Sequence, residues 1–174
     1  INVIAVNSAA FWMSTDKAAT TTSGVTWDDG EIVSFTSPGL GFEPGTTSGT
    51  FASIIDLDAF AADSKADISA LHRVTETVTV GSGGNSMVLQ TGDILFSTAS
   101  NETFGGVSVT DQDLVRFRPT TPGDYSSGSF AIVLNSPTGD KIREVALVER
   151  TTVVGGVTLN AGDFLLIQSS ATYD

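Results

Sequence analysis

The sequence predicts an all-β protein, and three observations support that prediction. Apolar residues alternate with polar ones at a period of two, as Val25 and Trp27 do before a turn. Short turns rich in Gly and Asp separate such stretches along the chain, which is typical of β-hairpins. Helical periodicity is scarce, since 57–65 is the one stretch that places Leu57 and Phe60 on a common side. We expect an internally duplicated β-sandwich or flattened barrel, with a small propeller-like fold of four-stranded blades as the alternative.

The first predicted element is a recurring hairpin, in which a short turn ending in glycine joins two apolar runs. Gly30, Gly92 and Gly162 hold the last turn position, where a left-handed backbone conformation favours a residue without Cβ. Gln112 and Ala9 hold this position in two further copies. We therefore expect those two turns to differ in geometry.

A short helix at 57–65 and a strand at 67–74 are predicted next. In the strand, Ile68, Ala70 and His72 point to one side of the alternation. The glycine-rich stretch at 81–84 lacks the lysine and the following helix of a phosphate-binding loop, so it predicts a flexible connection. The whole pattern indicates roughly ten to thirteen strands.

Repetition within the chain predicts a single all-β domain over 1–174, built of two tandem units, 1–83 and 84–153, with a partial third unit at 154–174. Four blocks recur in the same order about eighty residues apart. They are 10–15, 24–35, 37–39 and 48–55, which match 93–98, 106–117, 121–123 and 127–134. The third copy either closes the fold within the chain or is offered to the next molecule.

Composition excludes several classes of function. The 174 residues include 20 acidic and 8 basic side chains, for a net charge of −12. Such a surface repels phosphate backbones and anionic lipid, so we expect no nucleic-acid partner and no membrane insertion. The chain has no cysteine and one histidine, which excludes thiol nucleophiles, disulfides and zinc clusters.

The composition also predicts a location. The chain is rich in Ser, Thr and Gly and poor in Lys, which favours an extracellular or cell-surface protein of prokaryotic type. It begins at Ile1 rather than at an initiator Met. We expect either a signal peptide that has been removed or a longer parent chain.

Catalytic motifs are hard to find, and we expect no enzyme. His72 has no accompanying nucleophile motif, so a structural role is favoured. A glycoside hydrolase would need two carboxylates beside a sugar-stacking cleft, and only Trp12 and Trp27 could supply an indole. Both lie in apolar repeat blocks, which favours core packing. A glycoside hydrolase is therefore the least favoured alternative.

Acidic turns make calcium the one cofactor to consider. Asp28, Asp29 and Glu31 lie on one turn, and Asp111 and Asp113 lie on its counterpart in the second unit. Calcium takes six to eight oxygen ligands from carboxylates and loop carbonyls, so these five residues are candidate ligands. Their spacing matches no EF-hand, and the alternative is that Asp favours turns and keeps an acidic surface soluble.

Asp56 and Asp58 form another acidic cluster on a predicted turn. Their counterparts in the second unit are Asn135 and Pro137. A calcium site at this cluster would therefore not be duplicated.

Three motifs carry a resemblance to other proteins. Residues 14–16 read S-T-D, 105–115 read G-G-V-S-V-T-D-Q-D-L-V, and 67–72 read D-I-S-A-L-H. In these motifs the chain resembles a group of secreted bacterial β-repeat domains over most of its length. The second unit departs from the pattern at 141–145. The resemblance implies an exported, all-β, non-catalytic module, and it implies no ligand or activity.

The leading functional hypothesis is a structural protein at the cell surface, either a self-assembling filament subunit or an adhesin-like module. The element that starts a unit occurs at both ends of the chain, and an uncomplemented strand is a template for another chain. Ile1–Val6 and Thr152–Ser169 are the candidate exchanged segments. A calcium-dependent carbohydrate-binding module, with a surface glycan as partner, is the alternative.

Overall fold

The fold is built almost entirely of strands. The computed structural model describes residues 9–22, 24–37, 49–63, 66–137 and 139–169. The strands are β1 (Ala9–Met13), β2 (Ala19–Thr20), β3 (Thr26–Trp27), β4 (Glu31–Ser37), β5 (Thr50–Asp56), β6 (Ile68–Arg73), β7 (Val78–Val80), β8 (Met87–Leu89), β9 (Ile94–Thr98), β10 (Glu102–Phe104), β11 (Val107–Val109), β12 (Leu114–Thr121), β13 (Asp124–Leu134), β14 (Ile142–Leu147), β15 (Thr152–Val154), β16 (Val157–Leu159) and β17 (Phe164–Gln168). The prediction of an all-β protein is confirmed.

Three antiparallel sheets hold the longer strands. The first sheet has the order β1-β4-β5, the central sheet β13-β12-β9-β6, and the third sheet β14-β17. Four two-stranded hairpins, here called arms, connect neighbouring strands of these sheets; they are β2-β3, β7-β8, β10-β11 and β15-β16. The strands of the described ranges do not close into a barrel, so the flattened-barrel form of the prediction is not found there.

The central sheet carries a hydrophobic core on each face. The first core joins it to the first sheet and buries Ile32 and Leu57 against Phe96 and Phe117. The second core joins it to the third sheet, with Leu95, Leu114, Ile142 and Leu147 among its members.

Strand β9 supplies both cores because successive side chains of a strand point to opposite faces of its sheet. Ile94 and Phe96 belong to the first core and Leu95 to the second, and all three are fully buried. A continuous apolar run is therefore needed here. The period-two alternation of a half-exposed strand would leave one core unfilled.

The predicted helix at 57–65 is much shorter in the structure. A 3-10 helix covers only Leu57–Ala59, and a second one covers Gly83–Asn85 inside the β7-β8 arm. The carboxylate of Asp56 accepts a hydrogen bond from the N–H of Asp58, which begins the first turn. The side chain of Leu57 is fully buried in the first core, and this contact fixes the position of the segment. The helix ends at Ala59.

Strand pairing in the first sheet has a counterpart in the central sheet. Met13 lies opposite Val33 on the β1-β4 pair, and Phe96 lies opposite Val115 on the β9-β12 pair. The β4-β5 pair shifts register after Ile32, and the β12-β13 pair shifts after Leu114. These residues are counterparts in the repeated sequence blocks.

A second correspondence links the central and third sheets. Leu71 of β6 lies opposite Phe96 of β9, and Val145 of β14 lies opposite Leu166 of β17. Both pairs carry a register shift at their outer end, after Ile68 and after Ile142 respectively. β1, β9 and β17 therefore occupy corresponding positions in their sheets.

Candidate functional site

A cleft lies between the first and central sheets. It has a volume of about 760 Å³ and includes Trp12, Asp56, Arg73, Asp124 and Tyr125 in its lining. We call it the interlayer cleft. β1 and β5 supply one wall and the corner between β12 and β13 supplies the other.

Aromatic and charged groups meet on the walls of this cleft. The rings of Trp12 and Tyr125 lie edge to face, 5.3 Å apart at an interplanar angle of 83°. The guanidinium carbon of Arg73 lies 4.6 Å from the centroid of the Trp12 ring, a cation–π contact. Aromatic surface combined with a few fixed polar groups is typical of small-molecule sites, sugars included.

An acidic triad adjoins the interlayer cleft. Asp28, Asp56 and Asp58 each place a carboxylate oxygen within 4.8 Å of the others. Asp28 lies on the turn before β4, whereas Asp56 ends β5 and Asp58 follows it in the 3-10 helix. The antiparallel pairing of β4 with β5, in which Glu31 lies opposite Asp56, brings the two segments together. Asp56 belongs to both the triad and the cleft.

The electrostatics of the triad favour a cation. Partial burial of the Asp58 carboxylate, together with the charges of Asp28 and Asp56, raises its pKa although the N–H of Ala66 donates to Oδ1 at 2.6 Å. Oδ1 of Asp28 is buried and has no hydrogen-bond partner among the described residues. A bound divalent ion would neutralise this repulsion and satisfy the buried oxygen.

Gly30 allows the triad to form. A Cβ at this position would lie 2.7 Å from the carbonyl oxygen of Ala66 and 2.9 Å from Oδ1 of Asp58. The turn could not approach so closely with a larger residue. In the repeat predicted from the sequence its counterpart is Gln112, and no corresponding triad is found there among the described residues.

Of the five candidate calcium ligands, only Asp28 belongs to the triad. Asp111 pairs with Nζ of Lys141 at 2.7 Å. Asp113 is buried and accepts hydrogen bonds from the N–H groups of Thr110 and Ser136. A calcium ion at either position would have to compete with these protein donors.

The two remaining candidates lie beside the triad. Glu31 accepts a hydrogen bond from the hydroxyl of Ser53 on the neighbouring strand. The backbone carbonyl of Asp29 accepts hydrogen bonds from the N–H of Ile68 and the hydroxyl of Ser14. Asp29 therefore anchors the turn through its main chain, and its negative charge adds to the repulsion on Asp58.

Sequence reasoning assigned both tryptophans to the core, and they differ in the structure. Trp27 is buried, stacks on Phe51 at 5.1 Å and donates its Nε1–H to the hydroxyl of Thr15. Trp12 is half-buried and lines the cleft. The exposure of Trp12 depends on the spacing between two sheets, and a local sequence pattern cannot predict that spacing.

Glu102 and Asp63 form a carboxylate pair outside the cleft. Burial of Glu102, with the neighbouring Asp63, raises its pKa although Ser100 donates a hydrogen bond to it. Both residues line a smaller cleft of about 380 Å³. A carboxyl group that retains its proton above its ordinary range can act as a general acid, so this pair is the first to substitute in any search for turnover.

Comparison of the chain with protein families, with curated proteins and with solved structures found no match. None of the helical segments in the described ranges has the length and apolar character that crossing a lipid bilayer requires. The candidate sites therefore stand on their own geometry.

Proposed function

We propose that the chain is a non-catalytic structural protein of the cell exterior whose copies assemble through their terminal segments. The proposal includes the tandem duplication of the chain, which the matching strand registers support. The observation that carries it is a group of exposed apolar side chains on β15, β16 and β17. It consists of Val153, Val154, Val157, Leu165 and Ile167, and we call it the end face.

The end face differs from its counterparts within the molecule. Val154 is 60% exposed, whereas Val80 holds the corresponding place on the β7-β8 arm and is 4% exposed. Leu165 is 48% exposed, whereas its counterpart Leu95 is fully buried. The counterpart positions are buried within the chain, so this difference supports a partner that covers Val154 and Leu165.

The edge of the third sheet supports the same conclusion. In the described residues β17 pairs with β14 alone, whereas its counterpart β9 pairs with both β6 and β12. An unpaired strand edge presents N–H and C=O groups to any strand that can reach it. Thr152–Ser169, one candidate exchanged segment, contains this edge; the other, Ile1–Val6, lies outside the described residues.

Sedimentation velocity over a concentration series tests the proposal, combined with negative-stain electron microscopy in calcium and in chelator. We expect species larger than 18.0 kDa whose proportion grows with concentration, and ordered linear assemblies in the images. A single 18.0 kDa species at every concentration would contradict the proposal.

A calcium-dependent carbohydrate-binding module is the second candidate, and the position of Asp56 favours it. This residue belongs to the acidic triad and also lines the cleft that contains Trp12 and Tyr125. An ion at the triad would fix one wall of the cleft. Calcium would then control sugar binding without contacting the aromatic residues, and retention on polysaccharide gels with and without calcium measures this.

Asp58→Asn tests the calcium step of this candidate. Asn keeps an oxygen acceptor for the N–H of Ala66 but removes one of three neighbouring charges. We therefore expect a higher Tm without calcium and loss of the rise in Tm that calcium causes. The measurement is thermal unfolding in calcium and in chelator.

The matched control is Asp111→Asn, which removes a carboxylate paired with Lys141 and should retain the full response to calcium. Loss of the response in D111N but not in D58N would move the ion to the turn of the second unit. A wild-type Tm that calcium does not change would end this candidate.

A further inference from the structure

Three strands of the chain occupy one structural position, and only one of them is paired on both edges in the described residues. β9 lies between β6 and β12, whereas β1 pairs with β4 alone and β17 with β14 alone. The first sheet therefore holds the counterparts of β9, β12 and β13, and the third sheet holds the counterparts of β6 and β9. Each of these two sheets therefore contains only some of the four strand positions of the central sheet.

We propose that β17 of one copy replaces β1 in the next copy, which makes a four-stranded sheet from two chains. This inference rests on the proposed self-assembly and specifies its contact. The new sheet has the order β14-β17-β4-β5, with β14 and β17 from one copy and β4 and β5 from the next. It reproduces the order β6-β9-β12-β13 of the central sheet.

The side chains of β17 suit the place of β1. In the register of the first sheet, Phe11, Trp12 and Met13 lie opposite Phe35, Ser34 and Val33. Their counterparts on β17 are Phe164, Leu165 and Leu166. Each replacement is apolar for apolar, so β17 can meet β4 of the next copy without burying a polar side chain.

The replacement conserves backbone hydrogen bonds and buries side chains that are exposed in the single chain. β17 makes with β4 the ladder that β1 makes within its own chain, so the backbone bonds lost and gained are equal in kind. Leu165 takes the place of Trp12, against the central sheet of the next copy, and becomes buried there as Leu95 is in the second core. Displacement of β1 exposes apolar side chains such as Trp12, and burial of the end face offsets that loss.

The contact between arms points to the same arrangement. The turn at Gly162 packs so closely on the β7-β8 arm that a Cβ there would lie 2.7 Å from the carbonyl oxygen of Thr79. The corresponding turn is that of Gly92, and it meets the β15-β16 arm of the preceding copy in the exchanged assembly. Val154 of that arm is then covered as Val80 is within one chain.

This contact joins different surfaces of two copies, so it is heterologous and repeats from copy to copy. Such a contact generates a ring where the rotation closes and an open filament where it does not. The proposal therefore predicts linear or ring-shaped assemblies rather than a two-fold symmetric dimer.

Register-specific cross-linking tests the exchange, since the chain has no native cysteine to interfere. Two proteins, L165C and S34C, are mixed, incubated at high concentration and oxidised. In the exchanged sheet the two positions are directly opposite, as Trp12 and Ser34 are within one chain. We expect a covalent heterodimer, because directly opposed residues on paired strands lie within reach of a disulfide.

The matched control pairs L165C with T36C, which lies two residues further along the same face of β4. Two residues of strand move the partner by about 7 Å, beyond disulfide reach. We expect about fivefold less heterodimer from this pair. Equal yields from the two pairs would overturn the exchange. Assembly of the wild-type chain in sedimentation would then still support self-association by another contact, whereas a monomeric wild type would overturn both proposals.

A substitution on the end face gives a second, independent measurement. Leu165→Asp changes an exposed side chain, so the monomer should fold, while the exchanged sheet would bury the carboxylate. We expect the Kd of assembly to rise at least about tenfold, because the exchanged sheet would bury an unpaired charge. Val88→Asp is the control, because Val88 is 47% exposed and lies on β8, which the exchanged sheet does not include. Assembly of L165D at wild-type concentrations would overturn the proposal.

Discussion

At the residue scale, the carboxylate of Glu149 joins the segment after β14 to the segment after β6. It accepts hydrogen bonds from the N–H of Thr75 at 2.7 Å and from the N–H of Glu76 at 2.9 Å, and from the hydroxyl of Thr75. Nε2 of His72, the one histidine of the chain, lies 3.1 Å from it. The sequence interpretation gave His72 a structural role, and this contact is consistent with that role.

The pKa of Glu149 follows from these contacts. Partial burial acts to raise it, but the hydrogen bonds from Thr75 and His72 outweigh burial and hold the pKa below its ordinary value of 4.5. A carboxylate with a lowered pKa stabilises the fold fully above the pKa of the unfolded chain. This contribution is lost as the pH falls through the folded pKa.

We therefore predict that Glu149→Gln destabilises the protein at neutral pH but not in acid. Gln keeps one acceptor oxygen and turns an amide toward groups that donate, so the cost at pH 7 is about 1–3 kcal/mol. As the pH falls through the lowered pKa of folded Glu149, the wild-type carboxyl is protonated as well, and the difference should shrink towards zero. Urea unfolding of both proteins from neutral pH into acid measures it.

Glu144→Gln is the matched control, because Glu144 is exposed on β14, the strand that precedes Glu149. It should change the free energy of unfolding by less than about 0.5 kcal/mol at every pH. A Glu149→Gln effect that is independent of pH would contradict the role assigned to the carboxylate.

At the element scale, the same turn precedes three of the longer strands. The carboxylates of Asp93, Asp113 and Asp163 accept hydrogen bonds from N–H groups three residues earlier, at 2.8, 2.7 and 2.7 Å. Each Asp closes its turn just before β9, β12 or β17 begins. Asp at these positions is explained by turn formation, whether or not calcium binds.

Asp113→Ala separates the turn role of this residue from a role in calcium binding. The substitution removes the acceptor for Thr110 and also leaves the N–H of Ser136 without its partner. We predict a loss of about 1–3 kcal/mol in the free energy of unfolding, equal in calcium and in chelator. Thermal unfolding in both conditions provides the measurement, and a loss confined to the calcium sample would show that Asp113 is a ligand.

The elements differ in how far the sequence could predict them. Alternation around Val25 and Trp27 predicted a strand, and β3 covers Thr26–Trp27 with Thr26 exposed and Trp27 buried. β4 is buried on both faces over 32–35, and its apolar run rather than an alternation predicted it. β9 is buried on both faces and shows no alternation, so only its repeated sequence marked it. Two-residue strands such as β2 depend on pairing with β3 rather than on their own composition.

The acidic triad shows that the residues of a site can be found from sequence, whereas their proximity cannot. Asp28 was a candidate because it lies on an acidic turn, and Asp56 and Asp58 were noticed for the same reason. These two residues meet Asp28 only through the register of β4 against β5. Pairing register is a property of tertiary structure, which local patterns leave open.

At the scale of the whole molecule, the sheets form a stack in which the central sheet is shared. The first core lies between the first and central sheets, and the second core lies between the central and third sheets. Both tryptophans belong to the first-sheet region, Trp12 on β1 and Trp27 on β3. Tryptophan fluorescence therefore reports the end of the stack that is remote from the second core.

This arrangement predicts that the stack unfolds as one cooperative unit. Leu95 is fully buried in the second core, and its strand neighbours Ile94 and Phe96 fill the first core. Leu95→Ala should cost about 2–5 kcal/mol and should shift the tryptophan transition in urea as far as the transition in far-UV circular dichroism. Val88→Ala, at an exposed site, should shift neither. A dichroism transition that moves while the tryptophan transition stays in place would show that the two cores unfold separately. Destabilisation of the second core would then leave the stability of the first core unchanged, although strand β9 contributes side chains to both cores.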